Sequence, residues 1–113
     1  MDNTTFAKAV EGLIPTVEDK YGETGWSSYW ESGTVKDVYI ADVELVESFG
    51  GEGEGERRWL VFKVTPKNGV VDDAAPRYFK KEGYYSSWDG SDWDGAFTEV
   101  RPVEKYVTAY EPK

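Results

Sequence analysis

The amino-acid sequence predicts an α+β domain, with one N-terminal helix packed on a mainly antiparallel sheet of five to six strands. Three observations predict it. Apolar residues recur at helical spacing over residues 4–22, the spacing changes to alternation over most of the remaining chain, and 113 residues suffice for one domain but not for two ordinary ones. Phe6, Val10, Leu13, Val17 and Tyr21 fall at steps of four, three, four and four, which puts them on one helix face. Thr4 or Thr5 is placed to cap the start of this helix and Gly22 to cap its end. Pro15 conflicts with an unbroken helix, because proline lacks the N–H and its ring collides with the preceding turn. The helix therefore kinks at Pro15 or splits, with Pro15 near the start of a second piece.

The strands come next along the chain. Residues 26–31, Trp-Ser-Ser-Tyr-Trp-Glu, read as the first. In residues 35–48, Tyr39, Ala41, Val43 and Leu45 alternate with Ile40, Asp42, Glu44 and Val46, so one face is the more apolar. In residues 57–65, Leu60, Phe62 and Val64 alternate with Trp59, Val61 and Lys63; both faces are largely apolar, which places this strand centrally. Pro66 ends it and Lys67-Asn68-Gly69 is a turn. Short strands are expected at 77–81, around Tyr78 and Phe79, and at 96–101, with Phe97 and Val100. Residues 103–110 alternate once more, and 111–113 form a frayed tail to a single domain spanning 1–113.

Composition excludes much chemistry. There is no Cys and no His, so disulfides, thiolate metal sites, Ser-His-Asp and Cys-His nucleophiles and imidazole general bases are all impossible. Aromatic residues make up 16% of the chain, far more than a disordered segment carries, so a packed core is expected. With 13 Lys+Arg against 22 Asp+Glu the formal charge is −9. Direct binding to nucleic acid or to an anionic membrane is disfavoured, since both need clustered cations. A basic protein partner is favoured, and the plainer alternative is that the acidity maintains solubility. No apolar run is long enough to span a bilayer, and Met1-Asp2-Asn3-Thr4 lacks a basic leader, so a cytoplasmic protein is expected.

Two segments carry candidate functional residues. In Gly50-Gly-Glu-Gly-Glu-Gly-Glu56, glycine alternates with Glu52, Glu54 and Glu56, a hydrated acidic loop that is either a hairpin tip or a finger for a basic groove. The stretch Gly83-Tyr-Tyr-Ser-Ser-Trp-Asp-Gly-Ser-Asp-Trp-Asp-Gly95 concentrates Tyr84, Tyr85, Trp88 and Trp93 among Asp89, Asp92 and Asp94. Rigid aromatics interleaved with small polar residues are the composition of a paratope, or of a turn whose rings close one end of the core. Its Asp and Gly spacing does not fit an EF-hand loop. Asp92-x-Asp94 and Glu18-Asp19-Lys20 have spacings known from metal-dependent hydrolysis, but short acidic spacings recur by chance in so acidic a chain. No P-loop or dinucleotide fingerprint is present, and neither a cofactor nor a resident metal is expected. Trp26-Ser-Ser-Tyr-Trp30 echoes Tyr84-Tyr-Ser-Ser-Trp88.

The C-terminal half resembles small proteins of tailed bacteriophages and prophages. The likeness runs from Trp59-Leu-Val-Phe-Lys, through Arg77-Tyr-Phe-Lys-Lys-Glu-Gly-Tyr-Tyr-Ser-Ser-Trp-Asp-Gly-Ser-Asp-Trp-Asp-Gly, to Phe97-Thr-Glu-Val-Arg-Pro-Val-Glu-Lys. It supplies no catalytic or binding residues to carry over. It implies expression in a bacterial host, where small acidic phage proteins often block a host or defence protein. The function expected is a non-enzymatic protein-binding module, monomeric or a small homo-oligomer, that occludes a basic bacterial protein. Tyr84, Tyr85, Trp88 and Trp93 would act as anchors, with Asp89, Asp92, Asp94, Glu52, Glu54 and Glu56 as charge. The alternatives are a module binding a sugar or nucleotide-type signal on exposed aromatic platforms, and a virion structural protein.

Overall fold

The computed structural model describes residues 1–50, 57–86, 90–103 and 112, with the side chains of all but 90 and 91. Among the described residues, one helix packs on a six-stranded sheet whose pairings are all antiparallel, as expected for the α+β class.

Helix α1 covers Asn3–Leu13 and is shorter than its periodicity predicts. Asp2, not a threonine, caps it: the carboxylate accepts from the Thr5 N–H at 2.7 Å. Pro15 splits the predicted helix, and the second piece is a single 3-10 turn, Ile14–Thr16, with Val17 already extended. Tyr21 therefore leaves the helical face and is 69% exposed, while Ile14 takes a core position. Residues 26–31 do not form a strand. Trp26–Ser28 make a second 3-10 turn, because the Ser28 N–H and Oγ–H both donate to the Gly25 carbonyl, at 3.1 and 2.7 Å.

The region read as one strand over 35–48 is a hairpin. Strand β1, Val35–Asp37, turns into β2, Ala41–Phe49, through Val38-Tyr39-Ile40. Tyr39 adopts φ 76° there, a left-handed conformation unusual for an aromatic, held as its N–H donates to Asp37 Oδ1 at 2.8 Å. A bulge between Leu45 and Glu47 resets the alternation, which is why Val46 is exposed. Strand β3, Arg57–Pro66, is central, paired with β2 on one side and with β4, Arg77–Ser86, on the other. Strand β4 is twice the predicted length.

The returning chain pairs with β4 in two pieces: β5, Gly90–Asp92, opposite Tyr84–Ser86, and β6, Phe97–Val100, opposite Tyr78–Lys81. Residues 93–96 bridge these pieces opposite only Glu82 and Gly83, so two extra residues bulge out and fold over β4. The predicted strand at 103–110 lies outside the described residues except for Val103, which is exposed, and the 111–113 tail is described only at Pro112.

The core lies between α1 with its two 3-10 turns and one sheet face. Phe6, Val10 and Ile14 meet Val43, Leu45, Leu60, Phe62, Val64 and Phe79, all essentially without solvent contact. Tyr29 completes it edge-on to Phe62, its hydroxyl donating to the Ile14 carbonyl at 2.7 Å. Lys81 is also buried there, donating to the Gly95 carbonyl at 2.8 Å and pairing with Glu11 of α1 at 3.7 Å, so one cation ties helix, sheet and bulge together.

Two substitutions probe this packing through stability. A Cβ at Gly83 would lie 2.5 Å from the Asp92 carbonyl oxygen and 2.6 Å from the Trp93 ring. Gly83→Ala is expected to lower unfolding free energy in urea by about 1–3 kcal/mol, the usual size of an overpacking defect. Asp37 accepts from Lys67 Nζ at 2.6 Å, and this bond, with the Tyr39 N–H, holds its carboxyl below the ordinary 3.8. A lowered carboxyl stabilises above that value and loses its contribution as pH falls through the folded-state pKa. Asp37→Asn should therefore be less stable than the parent at pH 7, and the difference should narrow in urea titrations as pH falls below the ordinary carboxyl value of 3.8.

Candidate functional site

The sheet has two faces, and α1 covers one. On the other, side chains of β2, β3 and β4 are half-exposed or exposed. The β2 bulge brings Glu47 and Phe49 onto this open face, opposite Val61 and Trp59. Phe49 and Trp59 stack at 4.0 Å with 12° between their planes, and the Trp59 indole N–H donates to Glu47 Oε2 at 3.1 Å. Lys80 Nζ lies 4.3 Å from the Trp59 ring and Arg57 Cζ 5.7 Å from it. Tyr78 and Tyr84 continue the aromatic strip along β4. Phe49 is 36% and Tyr84 60% exposed.

The charges on this face are arranged unevenly. Its cations near the rings are shared with Glu82, which Arg57 approaches at 3.6 Å and Lys80 at 4.0 Å. Asp42 and Glu44 of β2 point the same way as Glu47, since Val43 and Leu45 point into the core. Among the described residues no lysine or arginine nitrogen comes within 4.0 Å of Asp42, Glu44 or Glu47. Lys63, directly opposite Glu44, faces the same side. Among the described residues, three β2 carboxylates without an ion pair within 4.0 Å thus face one β3 lysine, beside an aromatic strip whose Arg57 and Lys80 are shared with Glu82.

The residues singled out in 84–95 are divided by the pleat. Tyr84 and Asp92 are directly opposite each other in register and belong to the open face. Tyr85 is half-buried and Trp93 is on the core side. Trp93 lies against Gly83, its indole N–H donates to Ser27 Oγ at 2.8 Å, and Arg58 Cζ sits 5.1 Å from its ring. It closes one end of the core as the 93–96 bulge folds over. Asp94 is exposed in that bulge. Trp88, Asp89, Glu52, Glu54 and Glu56 lie outside the described residues.

Phe49, Trp59, Tyr78 and the β2 carboxylates are the open-face residues that sequence reasoning did not select. A signal for them existed: residues 57–65 are apolar on both faces, which a sheet covered on one side leaves as an exposed strip. Among the described residues no cluster of three or more Asp and Glu could hold a metal ion, and no helix is long and apolar enough to cross a membrane. Compared with protein-family models, with curated proteins and with solved structures, the chain finds no match.

The two aromatic positions separate by substitution. Trp93→Ala should cost about 2 kcal/mol of stability in urea unfolding, as a half-buried indole with a bonded N–H is removed. Tyr84→Ala should stay within about 0.5 kcal/mol of the parent.

Proposed function

We propose that this chain is a non-enzymatic protein-binding module whose open sheet face docks on a basic protein surface. The supporting observation is the Phe49–Trp59 stack with Asp42, Glu44 and Glu47 beside it, three carboxylates that face Lys63 alone across β3 among the described residues. Half-exposed rings provide the apolar area that a hot spot needs, and the carboxylates steer a cationic partner toward it. Tyr84 and Asp92 extend the surface at one end. The net charge of −9 adds long-range attraction to a basic partner and repulsion from nucleic acid. In the bacterial setting that the phage-like C-terminal half implies, the partner is a nucleic-acid-handling or defence protein. Its phosphate-binding groove would be blocked by these carboxylates, and the module acts in the host cytoplasm as an inhibitor by occlusion.

The test is capture from a bacterial lysate on the immobilised protein, run in parallel with a Trp59→Ser, Tyr84→Ser double variant whose folding is verified by circular dichroism. A basic protein should be retained by the parent at low ionic strength, lost from the folded variant, and released as salt is raised several-fold, because the Debye length shortens. Equal retention by parent and variant, or retention insensitive to salt, would reject this surface. A stable dimer in light scattering that the double variant abolishes would instead assign the face to self-association, the assembly alternative.

A further inference from the structure

Away from the open face, at the β1 edge of the sheet, a cavity of about 180 Å³ lies between the turn over residues 18–23, Trp30 and β1. Its charges are sorted by depth. Lys36 projects from β1 on the core side, opposite Val43, and is 9% exposed. Its Nζ has a hydrogen bond to Ser28 Oγ at 3.2 Å and sits 4.0 Å from the centre of the Tyr29 ring. Ser28 spends its own proton on Gly25, so it offers the lysine a lone pair only. Among the described residues no carboxylate lies within 4.0 Å of this ammonium. A buried ammonium with three donors, one of them hydrogen-bonded, is costly, and the charge of Asp19 beyond that distance offsets only part of the burial.

The anions lie nearer the solvent. Glu18 and Glu31 line the cavity from exposed positions, and so does Lys20, whose Nζ lies 3.9 Å from Glu31 Oε2 and 5.1 Å from the centre of the Trp30 ring. Asp19 is half-buried, and its Oδ1 is fixed by the Tyr21 and Glu23 N–H groups at 2.8 and 2.9 Å. The bond from the Glu23 N–H, above all, keeps that carboxyl below its ordinary range and therefore ionised at neutral pH. Trp30 forms an apolar wall, stacked on Tyr21 with centroids 6.4 Å apart. With Lys20 taken up by Glu31, Glu18 and Asp19 leave the mouth net negative, so an anion alone is disfavoured there and a cation alone would meet Lys36 at the floor. A molecule carrying both charges, negative end first, satisfies the two.

We propose that this cavity binds a small zwitterion of the α-amino-acid class, with its carboxylate on Lys36, its ammonium toward Asp19 and Glu18, and its side chain against Trp30 and Tyr29. The site does not share a residue with the open face, so it stands or falls apart from the docking surface. It gives the Trp26-Ser-Ser-Tyr-Trp30 motif a purpose: Ser28 orients the lysine, and Tyr29 and Trp30 supply the walls.

The experiment titrates the full chain with L-leucine and L-phenylalanine, then with L-leucinamide, which lacks the carboxylate, and N-acetyl-L-leucine, which lacks the ammonium. Heteronuclear NMR of the Trp30 indole N–H and the Lys36 amide is the readout. Saturable shifts at both positions are expected with a free amino acid at micromolar to low-millimolar concentration. Loss of either charge should weaken binding about tenfold or more. Lys36→Met keeps the aliphatic stem and removes the charge; it should retain the fold and lose the shifts. No saturable shift with either amino acid, or an amide that binds as well as the acid, overturns the proposal. Since that comparison uses the parent chain, it decides the matter even if the variant fails to fold.

Discussion

Among the described residues, one short helix and two 3-10 turns reach only one side of a six-stranded sheet. That constraint shapes the rest of the molecule. The apolar side chains of α1 and of Ile14 are spent on one face, where Val43, Leu45, Phe62 and Phe79 are sealed from water. The other face keeps Trp59, Val61 and Tyr78 half-exposed, although their strands are long and centrally placed. Exposed apolar patches on a sheet invite association, and the acidic β2 stripe limits which partners are admitted.

The covered face is finished by devices a small core requires. Lys81 is buried among groups that answer its charge: Gly95 and Glu11 receive it, and the Trp26 ring lies 5.1 Å away. Removing a partner from so buried a cation is costly, so α1 is registered on the sheet by a specific contact as well as by burial. The 93–96 bulge that supplies Gly95 to Lys81 also seats Trp93, and Gly83 makes room for it. The edge strand β1 is only three residues long and carries Lys36 and Asp37, which discourages further strand pairing.

The sequence legibly encodes the fold class, the central place of 57–65, the turn at Lys67-Asn68-Gly69 and the core positions Phe6, Val10, Val43, Leu45, Phe62 and Phe79. Its misreadings have physical causes. The split at Pro15 is legible, but the 3.6 spacing also carries Val17 and Tyr21 onto the helical face, and there the chain is already extended because the ladder ends at the proline. Trp26-Ser-Ser-Tyr-Trp30 has β-rich composition, yet serine bonding to its own backbone wins locally. The division of 84–95 between two faces comes from a bulge two residues wide, and nothing in that composition marks where a bulge falls. The β2 carboxylates look like ordinary solvated positions until the register sets them beside Trp59.

The central claim is that the β2–β3–β4 face is where this protein meets its partner. Hydroxyl-radical footprinting of the free chain and of the chain bound to its captured partner tests it most directly, because Phe49, Trp59, Tyr78 and Tyr84 report on that face while Tyr21 and Trp30 report on the β1 end. Protection on binding at Phe49, Trp59, Tyr78 and Tyr84, with Tyr21 and Trp30 unchanged, is the expected result. Undiminished oxidation of the open-face rings in the complex, with protection elsewhere, would contradict it.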